Sequence, residues 1–135
     1  MENKKHYMIE LPSFSDEDGC LAVIEECKQI PFKIKRIFYE YDVNVNCVRG
    51  RHANKNSQFC LVAVSGECDV IVDDGVSKKT YKLDKPTKIL YLDKMIWKTM
   101  TYFSSNCVLL VLSDCLYDKN EYIRSYEDYL NALYQ

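Results

Sequence analysis

Glycine and proline are scarce, at four and three among 135 residues. That scarcity excludes collagen-like and low-complexity chains and leaves no Pro/Gly-rich linker at which to divide the sequence. No apolar run reaches the roughly 18 residues of a membrane-spanning helix. The opening MENKKHYMIELPSF lacks the apolar core of a secretory signal. No charge dominates either: eighteen Lys plus Arg against twenty Asp plus Glu leave a net charge of -2. That balance argues against a broadly basic nucleic-acid surface. Seven cysteines (Cys20, Cys27, Cys47, Cys60, Cys68, Cys107 and Cys115) include no CxxC pair, which argues against a zinc ribbon or thioredoxin-like motif. Their expected state is reduced and mostly buried, in a cytoplasmic protein. Histidine is scarcest among the chemistry-bearing residues, with only His6 and His52.

What remains reads as one domain over residues 1–135. Ile34 to Val43 is rich in aromatic and β-branched residues, and Phe59 to Val64 is almost wholly apolar. Ser65-Gly66-Glu67 turns that run into Cys68 to Val72, and Asp73-Asp74-Gly75 is a hairpin signal. Thr80 to Leu83, Lys88 to Leu92 and Cys107 to Leu112 supply more strands. Short strands without intervening helical patterns predict an all-β sandwich or barrel. The C-terminus changes period. Tyr122, Tyr126, Tyr129 and Leu133 fall at helical spacing, and Asp118 with Glu121 has capping-box spacing. A helix over about 118–134 is therefore expected, with its tyrosine face packed on the barrel.

The stretch RGRHANKNSQFCLVAVSG, Arg49 to Gly66, carries the chemistry. A basic, polar run leads directly into a buried strand, as at the mouth of a small ligand-binding barrel. His52 and Asn54 face one side of an extended chain, and Arg49 is close enough in sequence to bend to the same mouth. His52-x-Asn54-x-x-x-Gln58 with Gly66 resembles the first cupin motif, in which two histidines and a carboxylate bind a metal. Asn54 and Gln58 are weak, neutral donors, so a metal site is not expected. His52 remains as a general base that titrates near neutral pH.

The segments GCLAVIEECKQIPFKIKRIFYEYD, RGRHANK, VSGECDVIVDDG, W-x-x-M-x-x-FS from Trp97, and VLLVLS followed by YDKNEYIRSY resemble the sugar-nucleotide 3,4-ketoisomerases, or WxcM-like cupins. The resemblance runs from Gly19 to Tyr129. It implies a cupin jelly-roll barrel, working without metal or other cofactor as a homodimer, with an N-terminal arm of about residues 1–18 exchanged between subunits. The implied substrate is dTDP-4-keto-6-deoxy-glucose, whose ketone moves from carbon 4 to carbon 3 through an enediol. The product is then aminated for surface polysaccharides such as the O-antigen of lipopolysaccharide. Matched position by position, His52 is the motif histidine, Arg49 its preceding arginine, and Tyr39 a tyrosine facing the sugar. Asn54 replaces the second histidine of the usual His-Ala-His and is expected to bind the substrate. Lys98 stands where histidine often follows the tryptophan. Arg49 and Lys55 are expected near the pyrophosphate, with Trp97, Lys98 and Tyr102 lining the pocket.

Two other readings compete. Asn54 favours a non-catalytic nucleotide-sugar-binding cupin. A related sugar-nucleotide epimerase needs an acid and a base on opposite sugar faces, and the motif offers one histidine.

Overall fold

The computed structural model describes residues 4–134. Strands β1 (His6–Glu10), β2 (Ser13–Asp16), β3 (Gly19–Ala22), β4 (Arg36–Glu40), β5 (Arg49–Asn54) and β6 (Phe59–Ser65) make the first half. Strands β7 (Cys68–Asp73), β8 (Lys78–Leu83), β9 (Lys88–Leu92), β10 (Trp97–Thr101), β11 (Val108–Ser113) and β12 (Tyr122–Ile123) follow, and helix α1 (Tyr126–Leu133) closes the chain. One antiparallel sheet has the order β1-β9-β6-β11-β4 and the other β12-β5-β10-β7-β8. This is the all-β jelly-roll architecture with one C-terminal helix that the sequence leads one to expect.

The main core lies between the sheets, where Leu61, Val70, Val72, Leu90 and Leu109 are buried. Phe59 to Ala63 are buried on both faces. Their alternate members, Cys60 and Val62, pack on the outer side beneath Ile30 and Phe32. Double-sided burial explains why this strand reads as a continuous apolar run. The outer face of the second sheet is covered differently: Ala53 and Trp97 lie under α1 against buried Tyr129. The Asp-Asp-Gly hairpin forms as expected. Asp74 accepts from the Val76 and Ser77 N–H groups, and β7 pairs with β8.

The expected 118–134 helix is shorter and starts later. Asp118 does act as a cap, but of a single 3-10 turn, Lys119–Glu121, accepting from the Asn120 N–H. Tyr122 and Ile123 then pair with Asn54 and Ala53 of β5. Helix α1 starts at Tyr126, capped by Ser125. A ladder with β5 overrides the helical period there, so Tyr122 belongs to a strand. The N-terminal arm also divides. β1 pairs in register with β9 of its own chain, and β2 with β3 forms a separate hairpin of exposed residues. Residues 1–3 of the expected arm lie outside the described residues.

Candidate active site

Strand alternation decides which side chains reach the barrel interior, and on β5 that alternation is broken once. Lys98 pairs with His52, Thr99 with Gly50 and Met100 with Arg49, which leaves Arg51 as an extra, bulged residue. Gly50 and Arg51 both adopt positive φ, 83° and 58°. A Cβ on Gly50 would stand 2.8 Å from the Lys98 carbonyl oxygen, so β10 approaches here as only glycine permits. The bulge places Arg49 and His52, at an odd spacing, on one face of the sheet.

An inner cavity of about 70 Å³ is lined by Glu40, His52, Lys98, Tyr122 and an apolar wall that includes Phe38 and Phe59. An outer cleft of about 330 Å³ shares Glu40, His52 and Tyr122 with it and adds Arg49, Arg124 and Tyr117. Arg49 Nε is 3.4 Å from Glu40 Oε1. Glu40 Oε2 and His52 Nδ1 are buried and have no hydrogen-bond partner among the described residues. The His52 ring lies 4.8 Å from the Tyr122 ring. Lys98 Nζ donates to Asn54 Oδ1 at 2.9 Å and stands 4.5 Å from the centre of the Phe59 ring.

Burial, and after it the Lys98 charge, lower the His52 pKa to about 4, against the nearby Gly50 backbone, which raises it. The imidazole is therefore neutral at physiological pH, well below the near-neutral titration expected from its type. Burial lowers Lys98 to about 7; Glu121 opposes the shift and Arg36 adds to it. The cavity thus holds a neutral imidazole beside an amine poised between its two protonation states. Such a pair can take and give protons without water. The two guanidinium groups of the cleft can hold a diphosphate by forked hydrogen bonds.

His52, Arg49 and Lys98 come together as the sequence suggests; the five other expected residues do not line the same space. Tyr39 alternates with inward Phe38 and Glu40, so its ring points out of the barrel and packs beside Tyr41. Trp97 alternates with Lys98 and lies on the outer face, 5.3 Å from the Tyr126 ring and 5.8 Å from that of Tyr129. Tyr102 is 73% exposed in the loop after β10 and lines neither cavity nor cleft. Lys55 is exposed just beyond the far end of β5; six extended residues separate it from Arg49 by roughly 20 Å. Asn54 is buried behind Lys98 and lines neither space. Gln58, read against the motif as a ligand, bonds instead to Asp114 and Tyr91. Sequence reasoning missed Glu40, Tyr117, Tyr122 and Arg124. Glu40 was legible as the charged residue in phase with Phe38, whereas the others reach the cleft only through β12.

The family model described as FdtA: WxcM-like, C-terminal matches residues 4–134. The chain belongs to the FdtA family. A relative from Aneurinibacillus thermoaerophilus, TDP-4-oxo-6-deoxy-alpha-D-glucose-3,4-oxoisomerase, is 42% identical over 96% of this chain and 91% of its own. The crystal structure of a 3,4-ketoisomerase from Helicobacter canadensis superposes with a TM-score of 0.95 at 34% identity, covering 98% of this chain and 100% of that one. A histidine-to-asparagine mutant of the 3,4-ketoisomerase QdtA from Thermoanaerobacterium thermosaccharolyticum, in complex with TDP-4-keto-6-deoxyglucose, superposes with a TM-score of 0.93 at 30% identity over 97% and 95% of the two chains. In this FdtA-family barrel RGRHAN forms β5 with its bulge, and the run from Trp97 forms β10; they meet at His52 and Lys98.

Proposed function

We propose that this chain is a 3,4-ketoisomerase of a TDP-linked 4-keto-6-deoxy sugar, with His52 as the base at carbon 3. One observation carries the reading: unpartnered His52 Nδ1 and Glu40 Oε2 line a cavity that adjoins a cleft bearing Arg49 and Arg124. Groups able to move a proton and cations suited to a diphosphate thus border adjoining spaces. The relatives named for this reaction match along nearly the whole chain. The carbon 3 proton is acidified by the adjacent ketone, so one imidazole and one oxygen-directed donor suffice, and general acid–base help of this kind supplies roughly 10²–10⁴-fold. The reaction needs no metal in this reading, and a lysine ammonium in the cavity repels a divalent cation.

The same reading makes the chain a cytoplasmic homodimer whose product goes to amino sugars of surface polysaccharides. Seven free thiols suit a reducing compartment. Exposed Ile37, Tyr39 and Val64 on the first sheet, Tyr41 just after β4, and Phe14 and Leu21 on the β2–β3 hairpin offer a second copy an apolar surface. Light scattering at micromolar concentration is expected to return twice the chain mass.

The deciding experiment is incubation with TDP-4-keto-6-deoxyglucose in D₂O, followed by NMR. The ketone is expected at carbon 3, with deuterium at carbon 4 to the extent that the His52 imidazolium exchanges with solvent before it returns its proton. Deuterium at carbon 3 or 5 with the ketone retained would indicate an epimerase, and a substrate with neither its ketone moved nor its hydrogens exchanged a binding protein.

A further inference from the structure

Lys98 is in an unusual position for a lysine. It is 5% exposed and lines the inner cavity beside His52. Its one hydrogen bond goes to a neutral amide, Asn54 Oδ1. Among the described residues no carboxylate lies within ion-pairing distance of it. Glu121 spends its oxygens on the Asn56 and Ser57 N–H groups and the Ser57 hydroxyl, and Glu40 faces Arg49. A buried lysine without a carboxylate partner costs stability that an apolar residue would not. Packing gives no reason for it; the cavity does.

We propose that Lys98 is the second proton-transfer residue of the isomerisation, moving a proton between the two substrate oxygens while His52 moves one between the two carbons, with Asn54 as the positioning residue that holds the amine. The assignment rests on the isomerase reading above. In the first half His52 removes the proton from carbon 3. That electron pair forms the carbon 3–carbon 4 double bond, and the carbonyl pair moves to the oxygen on carbon 4, which takes a proton from the Lys98 ammonium. The result is a neutral enediol, an imidazolium and a neutral amine. In the second half the amine takes the proton from the hydroxyl on carbon 3, the carbonyl forms there, and the double-bond pair takes the imidazolium proton at carbon 4. Both residues return to their starting states, and no external acid or base is consumed.

The groups facing Lys98 suit that exchange. β5 presents His52 and Asn54, β4 presents Arg36 and Glu40, and the 3-10 turn presents Glu121. Burial outweighs the Glu121 charge and brings the amine to about 7, where giving and taking a proton are both cheap. Asn54, which carries no titratable proton, fixes the amine without competing for its role.

The test uses the full chain and TDP-4-keto-6-deoxyglucose in D₂O. Lys98→Met and Lys98→Arg are each expected to lower kcat by at least about 100-fold, while calorimetric TDP affinity stays near wild type. Lys98→Met is further expected to exchange the carbon 3 hydrogen for deuterium faster than it moves the ketone, because His52 remains. The kcat–pH profile should lose its limb near neutrality. Turnover of either variant within about tenfold of wild type, or an unchanged limb, would overturn the assignment. A wild-type protein that forms no 3-keto product would overturn the isomerase reading and this assignment together; an active wild type with an active Lys98→Met removes only Lys98. Should the variants misfold, the wild type decides alone: a lysine ε-carbon resonance titrating near pH 7 is expected, and its absence overturns the proposal.

Discussion

His52 and Lys98 are directly opposed partners on β5 and β10, and each charge disfavours the other. The Lys98 ammonium is the second cause, after burial, of the depressed His52 pKa. Protonation at one therefore resists protonation at the other, which leaves at most one proton in the pair at neutral pH.

His52→Asn is expected to cut kcat by about 10²-fold or more while the near-UV circular dichroism stays native. In the wild type, an imidazole held at about 4 stays neutral throughout the working range. Histidine NMR should find the His52 ring neutral at pH 6, where a free imidazole is mostly charged. A midpoint near 6.5 would contradict the burial seen here.

Asn54→Ala removes the acceptor of a charged donor, worth about 1.5–3 kcal/mol, or roughly 10–150-fold in turnover. Asn54→His is expected to lower kcat rather than raise it. Position 54 is 1% exposed, so a ring has no room and displaces Lys98. Steady-state rates of both variants check this; a gain in Asn54→His would show a site waiting for its second imidazole.

Lys98 should leave a mark on stability. Its folded pKa of about 7 is below the ordinary 10.5, so between these values the unfolded chain binds more protons than the folded one. Stability from this site therefore rises with pH above 7 and is lost as pH falls through the folded value. Relative to Lys98→Met, the wild type is expected to gain about 2 kcal/mol between pH 7 and pH 9. Urea unfolding of both proteins at the two pH values measures it.

Arg49→Lys replaces a fork with a point charge. It should weaken TDP binding about tenfold, the size of one lost charged hydrogen bond, and Arg124→Ala should act similarly. Lys55→Ala should leave the affinity unchanged, because Lys55 lies at the far end of β5. Calorimetry with TDP separates these outcomes.

Trp97→Ala is expected to destabilise the fold by about 3 kcal/mol, because the indole fills the space between β10 and α1. KM should change little if packing is its whole role. Denaturant midpoints and KM from the same preparation test both halves.

Much of the barrel was legible in the sequence. Doubly buried β6 and the Asp-Asp-Gly hairpin announce themselves through composition and turn chemistry, and RGRHANK marks the mouth. Side-chain direction was not legible. Trp97 and Lys98 are adjacent, and only the sheet's packing decides which of them faces in. Tyr39 fails for the same reason: its neighbours Phe38 and Glu40 hold the inward phase. Tyr122 has helical spacing in the sequence, but the open edge of β5 claims it. The hydrogen bond between Asn54 and Lys98 joins residues 44 positions apart, and no local pattern encodes it.

The single extra residue on β5 is what makes a three-residue spacing workable. Were β5 to pair with β10 as a regular strand through Gly50 and Arg51, Arg49 and His52 would stand on opposite faces, and the mouth would keep either its anion-binding arm or its imidazole. Deleting Arg51 would instead bring the two residues to a two-residue spacing, on one face of an unbulged strand. The juxtaposition on which the chemistry depends is thus set by a count of residues along one strand as much as by the identity of its side chains.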